Sequence, residues 1–195
     1  MPVTNLFLKR SHGAALQSVD SFDYGTGGIR GNVGCAPFRQ VLIASQSVTA
    51  ECGLQAGDLR ENIVVDFDAL YELPSGTVVQ IGPALIRLTF HCEPCKKILS
   101  LVPFQRIVHK RGVLGSFLNE GTISVGDPFS VTEQKLEEIP YAVSDRIRWY
   151  LKSRDPSAAA LDLVHSIGLP ASSAGALPGL LRRLMFGGPK VRFGE

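Results

Sequence analysis

Residues 73–95, "LPSGTVVQIGPALIRLTFHCEPC", decide how this chain is interpreted. Two apolar runs rich in β-branched residues are separated by a glycine and a proline, which is typical of two short strands. The second run ends at a histidine followed by two cysteines that flank Pro94. Because proline cannot donate to a β-ladder, the chain is expected to leave the sheet at this point. The stretch therefore predicts a strand that delivers Cys95 to the end of a sheet.

Segments of the same kind recur between glycine-rich breaks over residues 1 to about 132. They are "VTNLFLK", "FRQVLIAS", "RGVLGSFL" and "GTISVGDPFSV". Many short strands in one domain predict a β-barrel or a β-sandwich. The segment "QSVTAECGLQAGDL" predicts one short helix that ends at Gly53. The stretch "GTGGIRGN" at residues 25–32 has no following GK[ST], so a tight turn is favoured over a phosphate-binding loop.

From about residue 138 the pattern becomes helical. "IPYAVSDRIRWYLKSRD" predicts a helix capped by Ser144, and "SAAALDLVHSIGLP" predicts a second one closed by Gly168 and Pro170. "SSAGALPGLLRRLMF" predicts a third helix, broken at Pro178. The predicted divisions are a barrel at residues 1–135, a helical domain at 136–187 and a flexible tail at 188–195.

The composition is that of an ordinary globular protein. Hydrophobic residues make up 45% of the 195 residues and charged residues 19%, and the formal net charge is only +2, so no overall field attracts nucleic acid or an anionic membrane. The apolar run at the start is too short for a secretory leader, and no run is long enough to span a bilayer. The four cysteines suggest free thiols, and we expect a cytoplasmic protein without membrane contact.

Five fragments together resemble the MOSC domain, the β-barrel domain at the carboxyl end of molybdenum-cofactor sulfurases. In chain order they are "GGIRGN", "FRQVLIAS", "GLQAGDLRENIVV", "LPSGTVVQIGPALIRLTFHCEPC" and "RGVLGSFLNEGTISVGDPFSV". They cover roughly the first two-thirds of the chain. The resemblance implies a mainly β fold, a MOSC-type barrel, here followed by a small helix-turn-helix-like domain.

The resemblance also assigns positions. The family's functional cysteine matches Cys95, which would carry a persulfide sulfur or ligate the molybdenum of the cofactor. Arg39 matches the arginine before the second main strand. The family's GEN element matches Glu61 and Asn62, but Arg60 replaces its glycine. Asn32 likewise stands where an aspartate is usual. The implied partners are a cysteine desulfurase or another sulfur donor, or a redox partner.

The residues around Cys95 suit this chemistry. If a helical turn follows, its N–H groups lower the thiol pKa, and Lys96, Lys97 and His91 favour the thiolate further. A thiolate attacks sulfur and coordinates soft metal centres. The residues expected to bind the molybdenum cofactor are Arg39, Asn62, Lys96, Lys97 and Arg106, the arginines at anionic groups and Asn62 through hydrogen bonds.

Other interpretations of "CEPC" remain open. Cys92 could resolve Cys95 in a redox CxxC pair, although such motifs usually open a helix in a thioredoxin-like fold. A zinc site would recruit Cys35, Cys52 or His91, but no second close-spaced ligand pair exists. Both cysteines could also be buried packing thiols. The stretch "RIVHKRG", which contains His109, is either a solvated strand edge or an anion-binding rim.

A different class of function rests on the C-terminal helices. They resemble faintly the winged helix of alkylguanine-DNA alkyltransferase-like proteins, without the family's PCHR motif. Gly175 holds the position of that family's arginine. Arg182 and Arg183 could still contact DNA phosphates. In this alternative the protein is a DNA-binding or protein-interaction module and the barrel is only a scaffold.

Overall fold

The structure is a computed structural model that describes residues 1–34, 36–153, 163–164, 166–169 and 175–186. Cys35, His165, Pro170 and the predicted tail at 188–195 lie outside the described residues. The chain divides into two compact units, Met1–Ile139 and Pro140–Glu195. The first unit is almost entirely β and the second is helical.

Within the described residues, eleven strands form two sheets. The strands are β1 Val3–Leu8, β2 Gln17–Val19, β3 Ser21–Gly25, β4 Gly28–Ile29, β5 Val41–Ser45, β6 Ile63–Val65, β7 Thr77–Ile81, β8 Ala84–His91, β9 Val113–Phe117, β10 Gly121–Ser124 and β11 Phe129–Lys135. The larger sheet has the order β11-β7-β8-β9-β5-β6-β1-β2, and the smaller one has the order β10-β3-β4. Every pairing is antiparallel except that of β5 with β6.

The larger sheet curls until β1 meets β11. Pro2 and Pro128 form an isolated antiparallel bridge. The N–H of Phe129 donates to the carbonyl of Met1 at 2.7 Å, and the N–H of Val3 donates to the carbonyl of Asp127 at 2.9 Å. These bonds satisfy strand edges that would otherwise be open, as closure of a barrel does. The prediction of a mainly β, barrel-like fold is confirmed.

Two apolar clusters lie on opposite faces of β5, which is buried along its whole length. Val41 and Ile43 face the barrel core. Ala44 faces a second cluster with Val48, Leu59, Ile98, Val102 and Ile107. Because alternate residues of a strand point to opposite faces, a strand covered on both sides must be apolar throughout. The second cluster anchors the short helices that follow β8 against the outside of the barrel.

These helices are short. The first unit contains α1 Gln46–Glu51, the 3-10 helix Asp68–Glu72, α2 Lys96–Leu99 and α3 Phe104–Ile107. The predicted helix before Gly53 is confirmed, since α1 is closed by Cys52 and Gly53 takes φ +69°. The turn interpretation of "GTGGIRGN" is also confirmed, because it joins β3 to β4.

The second unit contains α4 Val143–Ser153 and α5 Leu177–Phe186. The predicted cap at Ser144 is wrong, because α4 already begins at Val143 and the N–H of Arg146 bonds the carbonyl of Ala142 at 2.9 Å. The predicted break at Pro178 is also wrong. Pro178 occupies the first turn of α5. Proline is tolerated there because the backbone N–H that it lacks would have no partner within the helix.

The second unit has a hydrophobic cluster of its own. It contains Ile147 and Tyr150 of α4, Leu177 of α5, and residues of the segment that ends at Gly168. Gly168 has φ +68°, and the N–H of Leu169 donates to the carbonyl of Val164 at 2.9 Å. Among the described helices, none combines the length and the hydropathy that crossing a bilayer requires.

Candidate functional site around Cys95

Cys95 lies at the end of the loop between β8 and α2, directly before α2. It occupies the N-cap position of α2 in an extended conformation, and its side chain is exposed. The backbone N–H of Ile98 donates to the carbonyl of Cys95 at 2.8 Å, which fixes the first turn. The buried side chain of Ile98 holds this turn in the second apolar cluster. The prediction that Cys95 follows the end of a strand is therefore confirmed, and the structure shows that a helical turn begins directly after it.

The surroundings of Cys95 favour the thiolate. Partial burial by itself raises the pKa of the thiol. The N–H groups of Ile98 and Lys97 and the charges of Arg111 and Arg60 oppose it, and the net pKa of Cys95 is lowered. The sulfur accepts no capping hydrogen bond. The N–H groups of Ile98 and Lys97 therefore favour the thiolate through their dipoles.

Arg111 is the buried cation of this site. Its Nη1 donates to the carbonyl of Glu93 at 2.6 Å, and its Nε donates to the carbonyl of Leu59 at 3.4 Å. One planar side chain thus bridges the loop before Cys95 and the turn before β6. Arg111 belongs to the basic stretch "RIVHKRG", which the sequence identified as a possible rim without singling out this residue.

Arg60 belongs to the same turn as Leu59, before β6. It is half-buried and has φ +63°, in the left-handed region where glycine is usual. The resemblance to the MOSC domain implies a glycine at this position. Lys9 follows β1, which pairs antiparallel with β6 in the register of Leu6 with Ile63. The N–H of Phe7 donates to the carbonyl of Asn62 at 2.8 Å, so the pairing continues towards Lys9 and Arg60. Partial burial and then the charges of Arg60 and Lys97 lower the pKa of Lys9. Neither Lys9 nor Arg60 was predicted as a site residue.

Cys92 differs sharply from Cys95. It is buried with 2% of its surface exposed, and burial raises the pKa of its thiol. The Nη2 of Arg39 lies 3.7 Å from its sulfur, while the Nη1 of Arg39 pairs with the Glu93 carboxylate at 3.4 Å. Arg39 is therefore held against the "CEPC" loop by protein groups, and it stabilises the loop whether or not it also contacts a ligand.

Two predicted binding residues are engaged elsewhere. Asn62 is buried, its Oδ1 accepts the N–H of Leu42 at 3.1 Å, and its Nδ2 donates to the carbonyl of Phe7 at 3.3 Å. Both ends of its amide thus tie strands together, so its main role in the structure is to connect β1 and β5. The Nη2 of Arg106 donates to the carbonyl of Glu51. This arginine holds α1 and α3 together.

His91 does not supply the positive charge expected of it. Burial, followed by the charge of His109, lowers its pKa, which favours the neutral ring. The imidazole ring of His91 stacks on the ring of Tyr71, with 6.4 Å between the ring centroids. The exposed His109 contacts it edge-on, with 5.5 Å between the centroids. Lys96 and Lys97 are exposed beside Cys95. The charges identified as lowering the pKa of Cys95 come from Arg111 and Arg60.

The zinc and disulfide interpretations find no support among the described residues. No group of three or more possible ligands gathers there. Cys52, Cys92 and Cys95 are all free thiols. Cys35, the remaining candidate, lies outside the described part of the chain.

A cavity of about 310 Å³ lies beside α1 and the 3-10 helix. It is lined by Ser47, Val48, Glu51, Asp68, Tyr71, Glu72 and Lys110. Its charge is mainly acidic, and Lys110 is paired with Glu51 at 3.9 Å. Cys95 is not among the lining residues, so this cavity is not the site that the thiol serves.

The order of these elements along the chain has a match among known families. The model of the MOSC domain matches residues 31–130, which include β5 to β9, the "CEPC" loop and Arg111. This chain belongs to the MOSC domain family. That family is linked to molybdenum-cofactor binding and to sulfur transfer.

Solved structures of low sequence identity share the fold. YiiM from Escherichia coli is 18% identical over 98% of this chain and 96% of its own, with a TM-score of 0.58. YiiM from Geobacillus stearothermophilus is 18% identical over 92% of this chain and 97% of its own, with a TM-score of 0.52. YuaD from Bacillus subtilis is 17% identical over 70% of this chain and 96% of its own, with a TM-score of 0.58. The sequence matches none of the curated proteins.

The comparisons do not show the winged-helix resemblance of the C-terminal helices. Arg182 is exposed on α5, and the side chain of Arg183 lies outside the described residues. The position of Gly175 is described, but it carries no group that could contact a base. The DNA-binding alternative therefore finds no support in these comparisons.

Proposed function

We propose that this MOSC protein is a sulfur carrier in which the Cys95 thiolate receives a sulfane sulfur as a persulfide. The observation that carries the proposal is the exposed Cys95 sulfur on α2, close to the N–H groups of Ile98 and Lys97 and within the field of Arg111. An accessible thiolate is the nucleophilic form of cysteine. Cys92 lacks this environment because it is buried.

The proposed step balances as follows. The Cys95 thiolate attacks the outer sulfur of a donor persulfide, and a bond forms between Sγ and that sulfur. The sulfur–sulfur bond of the donor breaks, and its electron pair leaves with the donor's inner sulfur as a thiolate. The proton of the persulfide stays on the transferred sulfur or passes to water. Arg111 and the N–H of Ile98 stabilise negative charge near the attacking sulfur.

The expected donor is a protein that generates persulfides, such as a cysteine desulfurase. The exposure of Cys95 and of the neighbouring Lys96 and Lys97 leaves the sulfur open to approach by a macromolecule. The buried Arg111 supports the "CEPC" loop through its hydrogen bond to the Glu93 carbonyl. The receiving sulfur is therefore presented on a supported loop.

The residues present also fit the molybdenum cofactor that the family implies. A thiolate is a soft donor suited to molybdenum, and Lys9, Arg60 and Lys97 form a cationic group suited to a phosphate. Cys95 would hold the metal, and these three cations would hold the anionic part. When bound, this cofactor supplies two-electron redox chemistry. Asn62 and Arg106, which the resemblance suggested as binding residues, make no part of this arrangement.

The proposal is tested by loading the protein with glutathione persulfide and measuring its intact mass. We expect the wild type to gain the mass of one sulfur atom, which cyanide then removes as thiocyanate. Cys95→Ala should gain none, and Cys92→Ala is the matched control that should load normally. If wild type and Cys95→Ala load equally, the carrier proposal is wrong.

Metal analysis separates the two uses of the same thiol. If Cys95 serves the cofactor instead, protein purified from cells that make it will contain molybdenum, and Cys95→Ala will lose it. Protein that gains persulfide sulfur and contains no molybdenum supports the carrier. Protein with bound molybdenum and no sulfur uptake overturns the carrier in favour of the cofactor.

A further inference from the structure

We propose that Arg60, together with Lys9 and Lys97, makes Cys95 selective for an anionic reaction partner. These three residues are called the cation group below. The inference rests on the proposed function, because it concerns which molecules the reactive thiol accepts. It assigns a specificity role to Arg60, whose backbone takes the left-handed conformation.

The backbone at Arg60 is the first observation. Its φ of +63° lies in the left-handed region, which is strained for a residue with a Cβ and easily adopted by glycine. The N–H of Arg60 bonds the carbonyl of Gly57 at 2.9 Å, so the turn holds the residue in this conformation. Strained backbone that persists in a well-bonded turn suggests that the side chain has a use.

The second observation is that the cation group lacks compensating charge. Within the described residues, none of its three side chains forms an ion pair with a carboxylate. Four other cations of the described chain do form such pairs: Arg30 with Glu120, Arg39 with Glu93, Lys110 with Glu51 and Arg148 with Asp145. The protein therefore pairs cations elsewhere and leaves these three side chains, among the described residues, without a carboxylate partner.

The third observation is that the group draws on three separate segments. Lys9 follows β1, where its N–H donates to the Oδ1 of Asn32 at 2.7 Å. Arg60 belongs to the turn before β6, and Lys97 belongs to α2. Arg111 bridges the second and third segments through the carbonyls of Leu59 and Glu93. The convergence is thus built by the fold and not by one run of basic sequence.

Repulsion among the positive charges of the cation group agrees with this arrangement. Partial burial and the charges of Arg60 and Lys97 lower the pKa of Lys9. An anion placed among the three would relieve that repulsion. The charge of Arg60 also reaches the Cys95 sulfur. Because Arg111 joins the turn of Arg60 to the loop before Cys95 through the carbonyls of Leu59 and Glu93, an anionic reactant held by the group would lie close to the nucleophile.

Two sources of such an anion share this chemistry. One is a small anionic sulfur donor, for which thiosulfate is the probe: the thiolate attacks its outer sulfur, the sulfur–sulfur bond breaks, and sulfite leaves with the electron pair. The other is a phosphate group on a larger ligand, for which inorganic phosphate is the probe. Thiosulfate would leave a sulfur on Cys95, whereas phosphate would only compete for the cation group.

The experiment compares the rates at which Cys95 reacts with disulfides of different charge. The probes are dithiobis(nitrobenzoate), a dianion, and dithiodipyridine, which is neutral, with the rate in Cys95→Ala subtracted. Both reagents consume the same thiolate, so the ratio of the two rates does not depend on how much of the thiol is ionised. We expect Arg60→Gly to lower the dianion-to-neutral ratio by about three- to tenfold.

Matched variants isolate the charge of Arg60. Arg60→Lys keeps a cation on the strained backbone and should keep most of the ratio. Arg30→Gln makes the same change in net charge at an arginine paired with Glu120 and should leave the ratio unchanged. Added salt should lower the wild-type ratio more than that of Arg60→Gly, because screening removes the same attraction.

The outcomes are distinct. If Cys95 reacts but Arg60→Gly keeps the wild-type ratio, the selectivity inference is overturned and the carrier function stands. If neither thiosulfate nor phosphate slows the reaction of the dianionic disulfide in the wild type, the cation group does not bind anions and the inference fails as well. If Cys95 reacts with neither disulfide, the proposed function itself fails.

Discussion

At residue 60 the chain places an arginine on backbone that suits a glycine, with φ +63°. We expect Arg60→Gly to keep or raise the free energy of unfolding, by up to about 1 kcal/mol, because relief of strain outweighs the added freedom of the unfolded chain. Arg60→Val should lower it by roughly 1–2 kcal/mol, because a β-branched side chain tolerates this conformation poorly. Urea unfolding of the three proteins measures both changes.

The test depends on which of the two variants, Arg60→Gly or Arg60→Val, has the larger free energy of unfolding. Loss of the arginine charge is common to both, so any difference between Arg60→Gly and Arg60→Val reports the backbone. Equal stabilities for glycine and valine would show that the turn relaxes. The strain argument for a functional side chain at residue 60 would then be withdrawn.

The buried environment of Glu61 predicts how the stability of the protein depends on pH. Its carboxyl group is completely buried, its Oε1 accepts the N–H of Gly57 at 2.6 Å, and burial raises its pKa above the ordinary 4.5. The folded state therefore holds this proton more tightly than the unfolded state does. The contribution of Glu61 to stability is complete below pH 4.5 and is lost as the pH rises through the raised pKa.

Comparison with Glu61→Gln isolates this effect. We expect the unfolding free energy of the wild type, minus that of Glu61→Gln, to fall as the pH rises from about 4.5 towards neutrality. Urea unfolding of both proteins at a series of pH values measures the difference. A difference that is constant or that rises with pH would show that Glu61 is ionised in the folded protein without penalty.

At the scale of elements, Arg111 acts as a clamp between the turn before β6 and the loop before α2. Arg111→Met should leave the carbonyls of Leu59 and Glu93 without their donor and cost about 1–3 kcal/mol of stability. It should also raise the pKa of the Cys95 thiol, because a nearby positive charge is removed. The pH dependence of Cys95 alkylation and urea unfolding provide the two readouts.

The conservative variant tests which property matters. Arg111→Lys keeps the charge but cannot reach both carbonyls with one planar group. We expect it to restore most of the reactivity at neutral pH while remaining less stable than the wild type. If Arg111→Met alkylates with the wild-type pH dependence, the guanidinium only supports the loop and does not tune the thiol.

Local pattern and chain order were enough to predict the strands, the short helix before Gly53 and the thiol at the end of β8. Chain order carried the prediction of the barrel, because five fragments in sequence resembled one family. The partners of Cys95 were harder to predict, since Arg60 and Arg111 reach it only through tertiary contacts. Asn62 was assigned to a ligand because a motif does not reveal that both ends of its amide bond the backbone.

The helical unit shows the same limit. Periodicity located α4 and α5, but their starts were misplaced because helix caps depend on a single backbone bond. Ser144 had the right chemistry for a cap, yet the carbonyl of Ala142 already accepts two N–H groups one turn on. Pro178 was taken as a break because sequence alone did not show that it lies in the first turn of α5.

At the scale of the whole molecule, the apolar cores follow the division into two units. The two clusters of the first unit contain described residues no later than Phe129, and the cluster of the second begins at Val143. The main chain of Ile139, the last residue of the first unit, donates to the Oγ of Ser75 at 2.9 Å. The barrel thus has a complete set of core residues and a secured end before Pro140.

We therefore expect a shortened chain that ends at Ile139 to fold by itself and to keep the chemistry of Cys95. It should unfold cooperatively in urea, since the barrel core is contained within it. It should also gain one sulfur from glutathione persulfide, with its own Cys95→Ala variant as the control. A shortened chain that folds but takes up no sulfur would assign part of the site to the helical unit. One that does not unfold cooperatively would show that the barrel needs that unit to be stable.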